Sequence, residues 1–193
     1  MYPALSGSIW RKIKEGIAFM ESCVHIYCGD GKGKTTAAIG LAVRASGCNK
    51  KVLIARFLKT DHSGEVLALH SLSGITVMPC EKSFGFFTNM TDEQKKEARV
   101  YYSSLLDRVL IKAAKEPFDL LVLDEIMAVC NYGLVDEEKV IQFLSGRPEN
   151  LEVVLTGRNP SGKLLDQADY VSEIKKIRHP YDRGINARRG IEY

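Results

Sequence analysis

The stretch CGDGKGKTTAA, Cys28 to Ala38, decides the fold. It sets Gly29, Gly31 and Gly33 alternately along a loop, interleaves Asp30 and Lys32, and closes on Lys34, Thr35 and Thr36. CVHIY before it (Cys23 to Tyr27) is a short apolar run that predicts a buried strand, and TTAAIGLAVRASG after it has helical periodicity with a glycine stop at Gly47. Strand, glycine-rich loop and helix in that order form the setting in which backbone N–H groups wrap a phosphate chain at a helix N-terminus. The expected ligand is a nucleoside triphosphate. Counted back from Gly33-Lys34-Thr35, the common pattern G-x-x-x-x-G-K-[ST] puts Cys28 at its first position, so the turn freedom lies elsewhere in the loop. This spacing predicts phosphates held differently from those of an ordinary kinase or ATPase. A tight basic turn without a ligand is the alternative, and Lys34 and Thr35 together opening an apolar helix weigh against it.

Outward from the loop, strands and helices alternate. KKVLIARFLK (Lys50 to Lys59), GITVMP (Gly74 to Pro79), FDLLVLDE (Phe118 to Glu125), LEVVLTGR (Leu151 to Arg158) and YVSEIKKI (Tyr170 to Ile177) predict strands two to six. TDEQ (Thr91 to Gln94) is a capping box opening a helix to about Glu116, with Ala98, Tyr102, Leu105, Val109 and Ala113 on one stripe and Pro117 beyond its end. VDEEKVIQFLSG (Val135 to Gly146) predicts a further helix. The pattern implies an α/β fold: a P-loop NTPase-like parallel sheet of about six strands with helices on both faces. Ligands of such sheets bind at the carboxyl ends of the strands, where the glycine loop, Asp124-Glu125 and Thr156-Gly157-Arg158 all fall.

Bulk composition narrows the classes. A chain of 193 residues with 45% apolar side chains suits one core, expected over residues 20–193. Net charge is +3 from 27 basic and 24 acidic residues, too even to argue for nucleic acid. Five cysteines without a C-x-x-C pair point to reduced thiols in a cytoplasmic protein. No apolar run approaches the roughly 18–20 residues of a membrane span. Residues 1–19 lack the apolar stretch of a signal peptide, and Ile9, Trp10, Ile13 and Ile17 share one helix face, so an arm or leader is expected there.

At the convergent edge, Lys34 is placed to touch phosphate oxygens and Thr35 to offer its hydroxyl to Mg²⁺, with Lys32 as a second cation. Asp124 and Glu125 supply carboxylates for the metal, the choice between them open; capping the next segment is their bland role. Arg158 is a candidate phosphate or ribose clamp. His25, in the first strand, reads as a core histidine. In EKSFGFFTNM (Glu81 to Met90), Phe84, Phe86 and Phe87 have no periodic partners; they either cap a core or wall a large flat apolar ligand.

These residues together resemble the ATP:corrinoid adenosyltransferases of the CobA/BtuR type. The resemblance runs through GDGKGKTTAA, ARFLK, VLDE and VLTGRN, and most specifically through the tail ADYVSEIKKIRHPYDRGINARRGIEY (Ala168 to Tyr193). It implies an enzyme that transfers the 5′-deoxyadenosyl group of ATP to the Co(I) centre of a corrinoid, cobalamin or a precursor, and releases triphosphate. It implies that Gly29, Asp30, Gly31, Lys32, Gly33, Lys34, Thr35 and Thr36 hold the triphosphate, in reversed orientation, with Thr35 and Glu125 ligating Mg²⁺. Arg44 and Arg158 match arginines near the nucleotide. Phe86, and by extension Phe87, match aromatics that displace the lower axial ligand and exclude water; the family's tryptophan has no counterpart in this loop. A flavoprotein reductant and a homodimer are further family expectations. Two other readings stay open on the residues alone: a P-loop nucleoside or nucleotide kinase, with the phenylalanines stacking an acceptor base, and a non-enzymatic sensor of ATP or corrinoid.

Overall fold

Residues 22–59 and 63–192 are described by the structure, a computed structural model. Six strands, β1 (Val24–Cys28), β2 (Val52–Arg56), β3 (Ile75–Val77), β4 (Leu120–Asp124), β5 (Glu152–Thr156) and β6 (Tyr170–Glu173), form one sheet in the order β3-β2-β4-β5-β1-β6. Every neighbouring pair is parallel. β2 and β4 are buried at every position, the reason VLIAR and LLVLD carry almost nothing but apolar side chains.

The strands alternate with α1 (Lys34–Gly47), α2 (Gly64–His70), α3 (Asp92–Lys115), α4 (Ile126–Asn131), α5 (Glu137–Gly146) and α6 (Gly162–Leu165). Because side chains alternate along a strand, the central strands β2, β4 and β5 each feed two cores. Leu53, Ala55, Leu121, Leu123, Val153 and Leu155 meet the α3 stripe, while Val52, Ile54, Leu120, Val122 and Val154 meet Ala38 and Ala42 of α1 and Leu69 of α2. Helices therefore cover both faces, as the alternation of elements implies.

The capping box is formed. Thr91 Oγ1 accepts from the Gln94 N–H at 3.2 Å, and the Thr91 N–H donates to Gln94 Oε1 at 2.9 Å. The expected stripe of α3 is buried throughout. The short helices α2, α4 and α6 had no sequence signal, because seven, six and four residues are too few to establish a 3.6-residue period. β6 is shorter than YVSEIKKI predicts: after Glu173 the chain leaves the sheet and crosses the glycine loop. His25 is not a core histidine. Its Nε2 lies 2.5 Å from Glu152 Oε1, and its ring stacks on Tyr170 with centroids 4.6 Å apart. The arm expected over residues 1–19 lies outside the described residues. No described helix is long and apolar enough to cross a membrane.

The strand order places β5 between β4 and β1, so the last residues of all three strands stand side by side at one edge. Independently of that edge, Thr91→Ala should destabilise the protein by about 1 kcal/mol through loss of the α3 cap. The check is a lowered urea midpoint with an unchanged denaturant slope.

Candidate functional site

The site is built around the carboxylate of Asp124, the last residue of β4, which is completely buried. Thr35 Oγ1 donates to its Oδ1 at 2.8 Å and Thr156 Oγ1 donates to the same oxygen at 2.7 Å. Lys59 Nζ donates to Oδ2 at 2.7 Å and also to Thr35 Oγ1 at 2.8 Å. A buried carboxylate is tolerable only when its oxygens are satisfied and its charge is paired, and both conditions are met here. Thr156 has a second task, since its hydroxyl accepts the Glu125 N–H at 2.9 Å. Thus α1, the end of β5 and the segment after β2 are tied to one side chain.

The glycine loop answers two demands. Gly29 and Gly33 have φ of 104° and 124°, values that L side chains avoid. Gly31 has no such requirement; it is a glycine because the tail passes over it. A Cβ on Gly31 would stand 2.7 Å from the Ile174 carbonyl oxygen and one on Gly29 2.4 Å from it, both against backbone. The Ile174 N–H donates to the Cys28 carbonyl at 2.8 Å, and the Gly31 N–H donates to the Ile174 carbonyl at 2.8 Å. Asp30 turns its carboxylate to the same strap, accepting the Lys176 N–H at 2.9 Å, and that bond lowers its pKa. Lys32 also reaches the tail, with its Nζ 3.7 Å from Glu192.

Lys34 is buried and folds back, its Nζ donating to the Gly31 carbonyl at 2.8 Å. Burial, and next the positive charge of Arg158, lower its pKa. Glu125 shows the opposite shift: burial and the adjacent Asp124 raise its pKa against the pull of Lys59, Lys34 and Arg158. Its backbone is left-handed (φ 61°), and although it stands at the start of α4 its side chain makes no capping bond. Thr36 and Arg158 are exposed, and Asn131 Nδ2 donates to the Arg158 carbonyl at 3.0 Å. Arg44 lies in the last turn of α1, some ten residues and so about 15 Å of helical rise beyond Lys34. The fold therefore gathers Lys34, Thr35, Asp124, Glu125 and Arg158, and leaves Arg44 apart from them.

The three phenylalanines separate. Phe84 packs into the core against Tyr101 and Tyr102, with centroids 5.9 and 5.8 Å away. Phe87 is half-buried and stacks flat on Tyr132 at 4.4 Å, with Lys95 Nζ 5.5 Å from its centroid. Phe86 is 82% exposed. Tyr132 follows α4, whose six residues span about 9 Å from Glu125, so the aromatic surface begins one short helix away from the acidic pair.

Lys59, Thr156 and Tyr132 carry no sequence signal of their own. Lys59 and Thr156 do stand where strands end at the expected ligand edge, and position at that edge was the available clue.

A family model described as ATP:corrinoid adenosyltransferase BtuR/CobO/CobP matches residues 20–193. The chain is 33% identical over 170 residues to the corrinoid adenosyltransferase of Escherichia coli K12, covering 88% of this chain and 85% of that one. It is 33% identical over 171 residues to the corrinoid adenosyltransferase CobA of Salmonella typhimurium, with the same coverage. The corresponding Pseudomonas aeruginosa protein is 29% identical over 168 residues, covering 87% of this chain and 82% of that one.

The strap across the loop generates a test. Gly31→Ala should force residues 174–176 away, speed amide exchange at Ile174, and weaken ATP binding by about tenfold or more, 1.4 kcal/mol. Gly40→Ala on α1 meets nothing within 4 Å and is the control, expected to be neutral or stabilising by up to about 1 kcal/mol. Equal behaviour of the two variants would show that the tail does not shape the loop.

Proposed function

The chain belongs to the ATP:corrinoid adenosyltransferase BtuR/CobO/CobP family, and from that premise we propose how its residues divide the work. The reaction is adenosyl transfer from ATP to a corrinoid. Reduced cobalt attacks the ribose 5′ carbon, the C5′–O bond breaks, and its electrons leave with the triphosphate. No side chain has to act as nucleophile. What the protein must supply is charge neutralisation for the leaving group, orientation, and a dry cobalt face.

The first task falls to Gly29 to Thr36 and the start of α1. The α1 N-terminus and the Lys34 ammonium face the triphosphate, with Lys32 at the rim and Arg158 at the far wall. Asp30 contributes its backbone, since its carboxylate is engaged with Lys176. Arg44 is assigned to the nucleotide on the resemblance alone.

The donor set at Asp124 fits a divalent cation. A threonine hydroxyl and a buried carboxylate converge on one point, and a lysine ammonium stands there between them as a positive stand-in. Thr35, with Glu125 or Asp124, would hold Mg²⁺, the rest of its shell being water and phosphate oxygens. Bound Mg²⁺ would screen the triphosphate charge. Asp124 orients Thr35 whichever carboxylate ligates.

Phe86 and Phe87 are assigned to the corrinoid. The observation that carries this is an exposed phenylalanine next in sequence to a flat Phe87–Tyr132 stack that lies one short helix from Glu125. An exposed phenylalanine next to a flat aromatic pair offers apolar surface to a large flat ligand. Phe86 covers the cobalt face and displaces its lower ligand; Phe87, stacked on Tyr132, anchors the loop that carries Phe86. The reading extends to a reduced flavoprotein as electron donor, a homodimer, and a cytoplasmic setting.

Mixing the protein with ATP and chemically reduced cobalamin should yield a light-sensitive adenosylated product and intact triphosphate by phosphorus NMR. ADP in its place would indicate phosphoryl transfer. Phe86→Ala should lower turnover from cob(II)alamin by about tenfold or more, yet matter far less when Co(I) is generated chemically. Being exposed, it should change stability by less than about 0.5 kcal/mol. Phe87→Ala should additionally lose about 0.5–1.5 kcal/mol of stability with its ring stack. Equal activity losses in both assays for Phe86→Ala would remove the corrinoid assignment.

A further inference from the structure

Lys59 has no assignment in the mechanism above, yet it makes the only ion pair to Asp124 among the described residues. It lies just past β2 and reaches back over the strand end, following Leu58, whose φ of 60° is strained for a leucine. The turn is fixed from below, where the Phe57 N–H donates to the Asp124 carbonyl at 2.9 Å. The ammonium so delivered touches Asp124 Oδ2 and Thr35 Oγ1 at 2.7 and 2.8 Å. These are a carboxylate and a hydroxyl of the type that a triphosphate-bound divalent ion uses. Lys59 is nevertheless 30% exposed on its long flexible stem, so it can leave without opening the core.

We propose that Lys59 is the resident cation of the metal position: its ammonium holds Thr35 and Asp124 in the absence of nucleotide, excludes a lone divalent ion, and yields that position when ATP and metal arrive together. The inference rests on the metal reading given above. Its logic is charge balance. Lys59 already pairs Asp124, Glu125 feels Lys59, Lys34 and Arg158, and Asp30 lies near Lys34, so the acids are balanced without a metal and a divalent ion entering alone would have to displace the Lys59 ammonium. The triphosphate brings further negative charge and offers the displaced ammonium phosphate oxygens to bind. Metal and nucleotide binding are thereby coupled, each strengthening the other.

The test is Mn²⁺ binding followed by electron paramagnetic resonance, with and without ATP, in the wild type and in Lys59→Met. Without ATP the variant should bind Mn²⁺ about tenfold or more tightly than the wild type. Added Mg²⁺ should raise the melting temperature of the variant more than that of the wild type, because Asp124 then lacks its other cation. With ATP both proteins should bind Mn²⁺, and the gap between them should close. Equal Mn²⁺ affinity of the two proteins without ATP would overturn the role of Lys59 while leaving the metal site standing. Absence of ATP-dependent Mn²⁺ binding in both would instead overturn the metal reading itself, and this inference with it. Lys59→Gln, which keeps an N–H donor but no charge, repeats the measurement should Lys59→Met fail to fold.

Discussion

A carboxylate with no access to water organises this protein. Asp124 ends β4, one of the two central strands, and its buried oxygens are satisfied because a lysine and two threonines converge on it. Each partner comes from a different part of the chain: the segment after β2, the first turn of α1, and the last residue of β5. Removing one partner of a buried charge typically costs about 3–5 kcal/mol, so the three segments are held in register by the same interaction that builds the site. The catalytic edge is in that sense also a junction of the fold. The left-handed backbone at Leu58 and Glu125, on the two segments flanking this carboxylate, is strain held in place by the bonds that converge on it.

The phosphate loop shows how one stretch can satisfy two constraints at once. Gly29 and Gly33 provide backbone angles that other residues avoid, whereas Gly31 provides room for a neighbouring strand of backbone. The tail crosses the loop through Ile174 and Lys176, exchanging hydrogen bonds with Cys28, Gly31 and Asp30. A displaced glycine pattern is therefore not simply a variant phosphate cradle. It is a loop shaped by a strap, and the strap belongs to the carboxyl-terminal tail.

The aromatic loop divides labour by burial. Phe84 anchors the segment in the core beside Tyr101 and Tyr102, Phe87 seats it on Tyr132, and Phe86 is left facing outward. Tyr132 and Glu125 stand at opposite ends of α4, and Asn131 of that helix bonds the Arg158 backbone, so the aromatic surface is linked to the polar edge through one helix. An apolar macrocycle and a polyanion need opposite environments. In the function proposed above, a single short helix would let the two lie close without sharing side chains.

Sequence alone determined the strand-loop-helix unit, all six strands, the α3 capping box and the polar clusters at one sheet edge. Each of these is written in local periodicity or in residue types with one dominant use, such as a lysine after alternating glycines. Sequence also raised, without resolving, the choice between Asp124 and Glu125 and the role of three neighbouring phenylalanines. Tertiary structure decided that Asp124 is the buried hub, that Lys59 and Thr156 serve it, and that only Phe86 of the aromatic loop stands free. It likewise turned His25 from an expected core residue into the partner of Glu152. The physical reason is common to all of them. Hydrogen bonds such as Lys59 to Asp124 and Asp30 to Lys176 join residues 65 and 146 positions apart, and no local pattern encodes a pairing whose partner arrives only when the sheet closes.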